Sequence, residues 1–222
     1  MVYFEEDFLE FFKELAANNN KDWFDKNRKR YENIVREPFK IFVADVINEI
    51  HKLDSNVNIE PKDAIFRINR DIRFSKDKTP YKLRVDAVIS KFGRKDKSNP
   101  GLFIQLGPEH LIVSGGAWKP DSIQLEKIRK HIAYNLKKFD KLINSPLFLE
   151  YFPDGIKGDK NKRLPKEFVE IAQKQEFIFN KQFYYQAFLH PSEITKNSLL
   201  EIVLEHYKRL VPLNNFLRDA MK

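Results

Sequence analysis

The chain has 222 residues, 42% of them hydrophobic, with 40 Lys+Arg against 32 Asp+Glu and a formal net charge of +8, so it has the apolar material for a core and is not a disordered tail. The absence of cysteine rules out a disulfide scaffold, thiolate metal ligands and a cysteine nucleophile, and seven glycines argue against Gly-rich nucleotide-cradling loops as the main device. The first eight residues are acidic where a signal peptide needs a basic flank, and no window approaches the ~18 apolar residues of a membrane-crossing helix. The expected location is the cytoplasm, with no membrane partner.

Helices are predicted first. Phe4, Phe8, Phe11, Phe12 and Leu15 recur at spacings of three and four, with Glu6, Asp7, Glu10 and Glu14 on the other face. Asn18-Asn19-Asn20 stops this helix, and Asn20 caps a second one from near Lys21 through its side-chain oxygen. That second helix carries Trp23, Phe24, Tyr31, Ile34 and Val35 until Pro38 kinks or divides it. A third pattern follows in Phe39, Phe42, Val43, Val46, Ile47, Ile50 and Leu53.

From residue 59 the period falls to two. Ile65 to Phe74 sets Phe66, Ile68, Ile72 and Phe74 on one side of an expected strand, and Arg67, Asn69, Asp71 and Arg73 on the other. Arg70 interrupts the apolar side. Further strands are expected at Leu83 to Ser90, Gly101 to Leu106 and Leu111 to Ser114, the last two joined by the turn Gly107-Pro108-Glu109-His110 and ended by Gly115-Gly116. Asp121 and Gln124 form a capping-box pattern opening the helix of Leu125, Ile128, Ile132 and Leu136. A helix over Phe139 to Phe152, a loop over 153–165 and a helix over Ser198 to Leu210, broken by Pro212, complete the reading. There is no internal repeat and no linker. The expectation is one α+β domain over 1–222: helical in 1–55, a mainly antiparallel sheet in about 59–118, and mainly helical in 119–222.

Charge is concentrated in the middle of the chain. Residues 1–60 carry 9 basic and 13 acidic side chains, whereas residues 61–100 carry 12 and 5, a net +7. The densest part runs from Arg67 to Lys82. Guanidinium forks match phosphate or carboxylate oxygens two at a time, so Arg67, Arg70 and Arg73, with Lys76, Lys78 and Lys82, make a candidate anion site. Asp71 and Asp77 are the candidate catalytic carboxylates, set against a structural role in neutralising the arginines. Tyr81 and Trp118 are candidate ligand contacts, set against packing roles, and Gly115-Gly116 can offer backbone amides or simply turn the chain. His51, His110, His131, His190 and His206 show no metal-ligand spacing, so no metal site is expected, and no cofactor motif occurs.

Three stretches carry a resemblance: Asn18 to Asp25 with Tyr31 and Pro38; Arg70 to Lys82; and Gly115 to Pro120 with Leu125 and Arg129. Together they resemble the conserved hypothetical family known as domain of unknown function 2461, over most of the chain. Lys162 to Phe168 is similar to that family's basic, proline-containing segment, with Glu167 where a glycine is expected. The resemblance implies a bacterial-type α+β protein with no established reaction, and it supplies no catalytic residues. The residues themselves favour a binder of a phosphorylated or other anionic small molecule through the Arg67–Lys82 segment, with the reaction, if any, unassigned and the oligomeric state open. The competing readings are a nucleic-acid-binding or scaffolding protein, the less favoured partner, and a purely structural ion-pair network.

Overall fold

The computed structural model describes residues 1–222, in the element order α1 (Glu6–Ala17), α2 (Lys21–Lys26), α3 (Arg28–Tyr31), α4 (Glu37–Leu53), α5 (Pro61–Ala64), β1 (Val85–Ile89), β2 (Gly101–Leu106), β3 (Leu111–Ala117), α6 (Ser122–Tyr134), α7 (Leu136–Ile143), α8 (Pro146–Tyr151), α9 (Val169–Lys174), β4 (Phe183–Leu189) and α10 (Leu199–Met221). The strands form one antiparallel sheet in the order β1-β2-β3-β4 between helical N- and C-terminal regions, an α+β architecture. No helix is long and apolar enough to cross a membrane. The chain divides into two compact units: Met1–Arg94 with Phe103–Val113 and Phe188–Leu204, and Lys95–Leu102 with Ser114–Ala187 and Glu205–Lys222. Strands β2, β3 and β4 and helix α10 each contain residues of both.

In the first unit the phenylalanine-rich sequence becomes an aromatic core. Phe8, Phe11 and Phe12 of α1 are fully buried, as are Phe42, Val43 and Val46 of α4. Phe4 and Phe8 lie 4.5 Å apart, Phe8 and Phe12 5.3 Å, and Phe11 sits 5.8 Å from Tyr31, tilted and edge-on arrangements that suit the ring quadrupoles. Arg30 ties α3 to α1 through Asp7 and through Glu14 at 2.8 Å. Between α3 and α4, Glu32–Arg36 forms a π-type turn, and Pro38 then falls in the first turn of α4. The helical backbone runs on through this turn, with Glu37 N–H donating to the Glu32 carbonyl, so the expected division at Pro38 takes the form of a local π-type widening just before the proline.

The strand expected over Ile65 to Phe74 is not formed. The segment makes only isolated bridges, Ile65 with Ala87 and Asn69 with Tyr81, and Phe74 is 95% exposed. Alternation alone does not make a strand: Asp71 and Asp77 accept backbone N–H groups within the segment, and Pro80 has none to offer a ladder. What forms is an arch. Arg70 N–H donates to the Pro80 carbonyl (2.8 Å) and Lys82 N–H to the Ile68 carbonyl (2.9 Å), closing its feet. One foot is fixed to the turn before α2. The Asn19 side chain donates to the Tyr81 carbonyl (2.9 Å) and accepts from the Tyr81 N–H (3.1 Å), while the Tyr81 ring stacks on Phe24 at 4.0 Å and 16°.

The fourth strand is instead β4, in the region expected to be mainly helical. In the second unit, buried Asn214 of α10 accepts from the Gly116 N–H (2.9 Å) and from the Tyr185 hydroxyl, and donates to the Gly101 carbonyl (3.0 Å). Gly115-Gly116 therefore continues β3 and does not end it. A Cβ on Gly116, where φ is 99°, would stand 2.0 Å from the Phe183 carbonyl oxygen. Pro212 likewise does not end the last helix. It costs one hydrogen bond, to the carbonyl of Lys208, while Leu210, Leu213, Phe216 and Leu217 hold α10 by burial on both sides of it. Glu167 lies in a right-handed helical turn, Lys166–Phe168, where no glycine is required.

Two substitutions test this account. Gly116→Ala should lower unfolding free energy by about 2 kcal/mol or more in urea titration, from the positive φ and the clash with β4. Asn19→Ala should cost about 2 kcal/mol by leaving both Tyr81 peptide groups without their partner, and should speed hydrogen exchange at Arg70 and Lys82.

Candidate functional site

The arch from Arg67 to Lys82 holds most of the residues singled out by sequence, all in the first unit. The cations do not share one centre, because each is drawn to a different oxygen. Arg70, half-buried, donates to Asp77 (2.5 Å), to the Thr79 carbonyl (3.1 Å) and to the Thr79 hydroxyl. Asp77 in turn accepts from the Thr79 N–H (2.9 Å) and hydroxyl (3.1 Å). Arg73 forms a two-pronged pair with Asp71, Nε to Oδ1 at 2.9 Å and Nη2 to Oδ2 at 2.7 Å. Lys78 caps the Ile72 carbonyl (2.9 Å), completing a turn that Ser75 N–H also closes on Ile72 (3.3 Å).

These contacts set the electrostatics. The Arg73 guanidinium holds the Asp71 carboxyl at about 2, with the Arg73 N–H and the field of Arg67 acting in the same direction. The Thr79 N–H, then Arg70, holds Asp77 at about 2. A general base at neutral pH needs a raised carboxyl pKa. Both candidates are shifted the other way, and each carboxylate is paired with an arginine, Asp71 with Arg73 and Asp77 with Arg70.

Tyr81 and Lys82 already have protein partners. Tyr81 is buried and serves as the anchor described above, and Lys82 is committed to buried Asp86 (2.8 Å), which Arg84 also reaches (3.1 Å). What the arch offers to solvent is Arg67, Arg73, Phe74, Lys76 and Lys78. Phe74 was assigned to an apolar strand face by alternation. It instead stands in solvent with the Arg73 guanidinium 5.9 Å from its ring centre. The sequence signal that could have singled it out is the company it keeps, an aromatic ring between Arg73 and Lys76.

Trp118 belongs to the second unit. Its ring packs edge-on against Tyr184 at 4.7 Å, its backbone N–H donates to the Lys97 carbonyl (3.1 Å), and the residue remains 45% exposed. The family-like Arg129 is buried there without a carboxylate. Its guanidinium donates to the Ile178 (2.8 Å) and Asn180 (3.2 Å) carbonyls and lies 5.9 Å from the Phe168 ring, and burial lowers its pKa. Asp121 and Gln124 form the capping box expected at the start of α6. No group of three or more His, Asp or Glu side chains is arranged to hold a metal ion.

Comparison with known proteins supplies a family and no reaction. No curated protein and no solved structure matches the chain. The model of the conserved hypothetical protein family DUF2461 matches residues 7–216, which include the Asn19–Phe24 anchor, the whole arch, Gly115-Gly116 and Arg129. This chain belongs to the DUF2461 family.

Proposed function

We propose that the arch binds a phosphorylated or other anionic ligand, with Arg73, Lys76, Lys78 and Arg67 as contacts and Arg70 as the strut that keeps the loop in shape. The observation that carries this reading is the state of Arg73. Its fork is already set in the two-pronged geometry that a phosphate takes, but its partner Asp71 is exposed, and exposed ion pairs contribute little. A dianionic phosphate can exchange with Asp71 on a guanidinium that is already oriented. Phe74 beside it supplies a ring face for a base or sugar.

The exposure of Phe74 favours a second reading. Small ligands bury most of their surface in concave sites, whereas a ring 95% open to water among cations suits successive bases of a single strand. The two readings separate by pH. The Asp71 and Asp77 carboxyls are both held at about 2, so neither changes charge between pH 5 and 8. A phosphomonoester gains its second charge near pH 6, so its affinity should rise through that pH, while a phosphodiester strand should bind equally across it and weaken with salt at a log–log slope of about −0.7 per phosphate.

Mutation separates both from a purely structural network. Arg73→Ala should weaken binding of a mononucleotide or a short oligonucleotide by about tenfold, and Asp71→Asn should strengthen it several-fold by freeing the fork. Both variants should melt with the parent protein. Equal melting losses with no change in binding would identify the pairs as bracing alone. We further propose that the 222 residues form a single domain, as β2, β3, β4 and α10 each carry residues of both units; one calorimetric transition is expected, and two resolved transitions would refute it.

A further inference from the structure

A cavity of about 360 Å³ lies within the second unit, walled by α7, α8 and α10. Its size falls in the range of small-molecule sites. All of its charged lining residues are cations: Lys138 and Lys141 from α7, Lys208 and Arg209 from α10. Leu142, Phe148 and Leu213 supply an apolar wall, and Phe148 and Leu213 are buried.

Local partners do not account for this charge. Glu205 pairs with Lys208 at 2.6 Å and reaches Arg209 only at 3.6 Å, so one carboxylate serves two cations. Arg209 spreads its guanidinium 5.3 Å from the Tyr151 ring centre, and its Nε is buried with no hydrogen-bond acceptor. A buried N–H donor without a partner is uncommon, and it leaves the Arg209 guanidinium with the distant Glu205 carboxylate as its counter-charge. Lys138 lies over the Phe216 ring at 5.8 Å, and Lys141, exposed, pairs with no carboxylate. The Pro212 ring completes the wall one turn after Lys208.

The geometry points to a second binding site here, for a small amphipathic anion: a carboxylate or phosphate head held by Arg209, Lys141 and Lys208, with its apolar body against Leu142, Phe148 and Leu213. Both halves of the ligand are required. A free inorganic anion leaves the apolar wall wet, and an uncharged chain leaves the four cations of the lining without a counter-charge. The site is independent of the arch, so either reading can fail while the other stands.

Titration calorimetry of the full chain with octanoate and with octyl phosphate, below their micelle concentrations, tests this. Binding of one or both with a Kd under about 1 mM is expected, with octanol and inorganic phosphate at least about tenfold weaker, and the choice between the two amphiphiles identifies the head group. Lys141→Glu, at an exposed position, and Arg209→Gln should each reduce that affinity about tenfold, with all titrations made in the Arg73→Ala background because the arch is itself proposed to take anions. The assignment is overturned if neither amphiphile binds, if octanol or inorganic phosphate binds as tightly, or if Lys141→Glu has no effect in a protein with parental melting.

Discussion

Tyr81 is held twice, through its peptide by the Asn19 amide and through its ring by Phe24, and the arch takes its position from that hold. A side-chain amide presents an N–H donor beside a carbonyl acceptor, the complement of a peptide group, so Asn19 can act as a one-residue strand for Tyr81. With that foot fixed and the Arg70–Pro80 bond closing the other, the residues between them need no sheet. Their shape comes from Arg70, Asp77 and Thr79 inside the loop and from Asp71 with Arg73 outside it. Two of the family-like stretches, separated by 62 positions between Asn19 and Tyr81, are thus parts of one local device.

The same packing redistributes the charge. The +7 of residues 61–100 does not face outward as a sheet of cations. Arg70, Arg73, Lys82 and Arg84 take carboxylate partners, and Arg94 caps the Lys62 and Ile65 carbonyls. The acidic helices of the first unit are neutralised in turn by Lys13, Arg28, Arg30, Arg36 and Lys52. These ion pairs each form within one segment, and the exposed cations left on the arch are Arg67, Lys76, Lys78 and the exchangeable Arg73.

In the second unit, motif-like residues and cavity residues are different sets. Gly115-Gly116 reads in the sequence as a possible source of backbone amides and Arg129 as a family-like position, yet the glycines allow β4 and Asn214 to approach β3, and Arg129 caps two carbonyls. Lys138, Lys141, Lys208 and Arg209 carry no motif. Helical spacing alone makes them part of a solvated polar face, and only the packing of α7 and α8 beside α10 turns that face into the lining of a cavity.

The sequence by itself determined the helices that carry a strong 3.6-residue pattern, the Asn20 cap, the capping box at Asp121, the β2–β3 hairpin and the charge concentration at Arg67–Lys82. Each is set by contacts within a few residues, or by the matching of one apolar face to one period. Tertiary structure alone decided that Ile65 to Phe74 is an arch and not a strand, that β4 comes from residues 183–189, that α10 runs through Pro212, and that Tyr81 is an anchor. A strand exists only where a partner supplies the other half of its ladder, and a proline is tolerated in a helix only where burial on both sides outweighs one lost bond. Neither the ladder's partner nor that burial can be read from a local pattern.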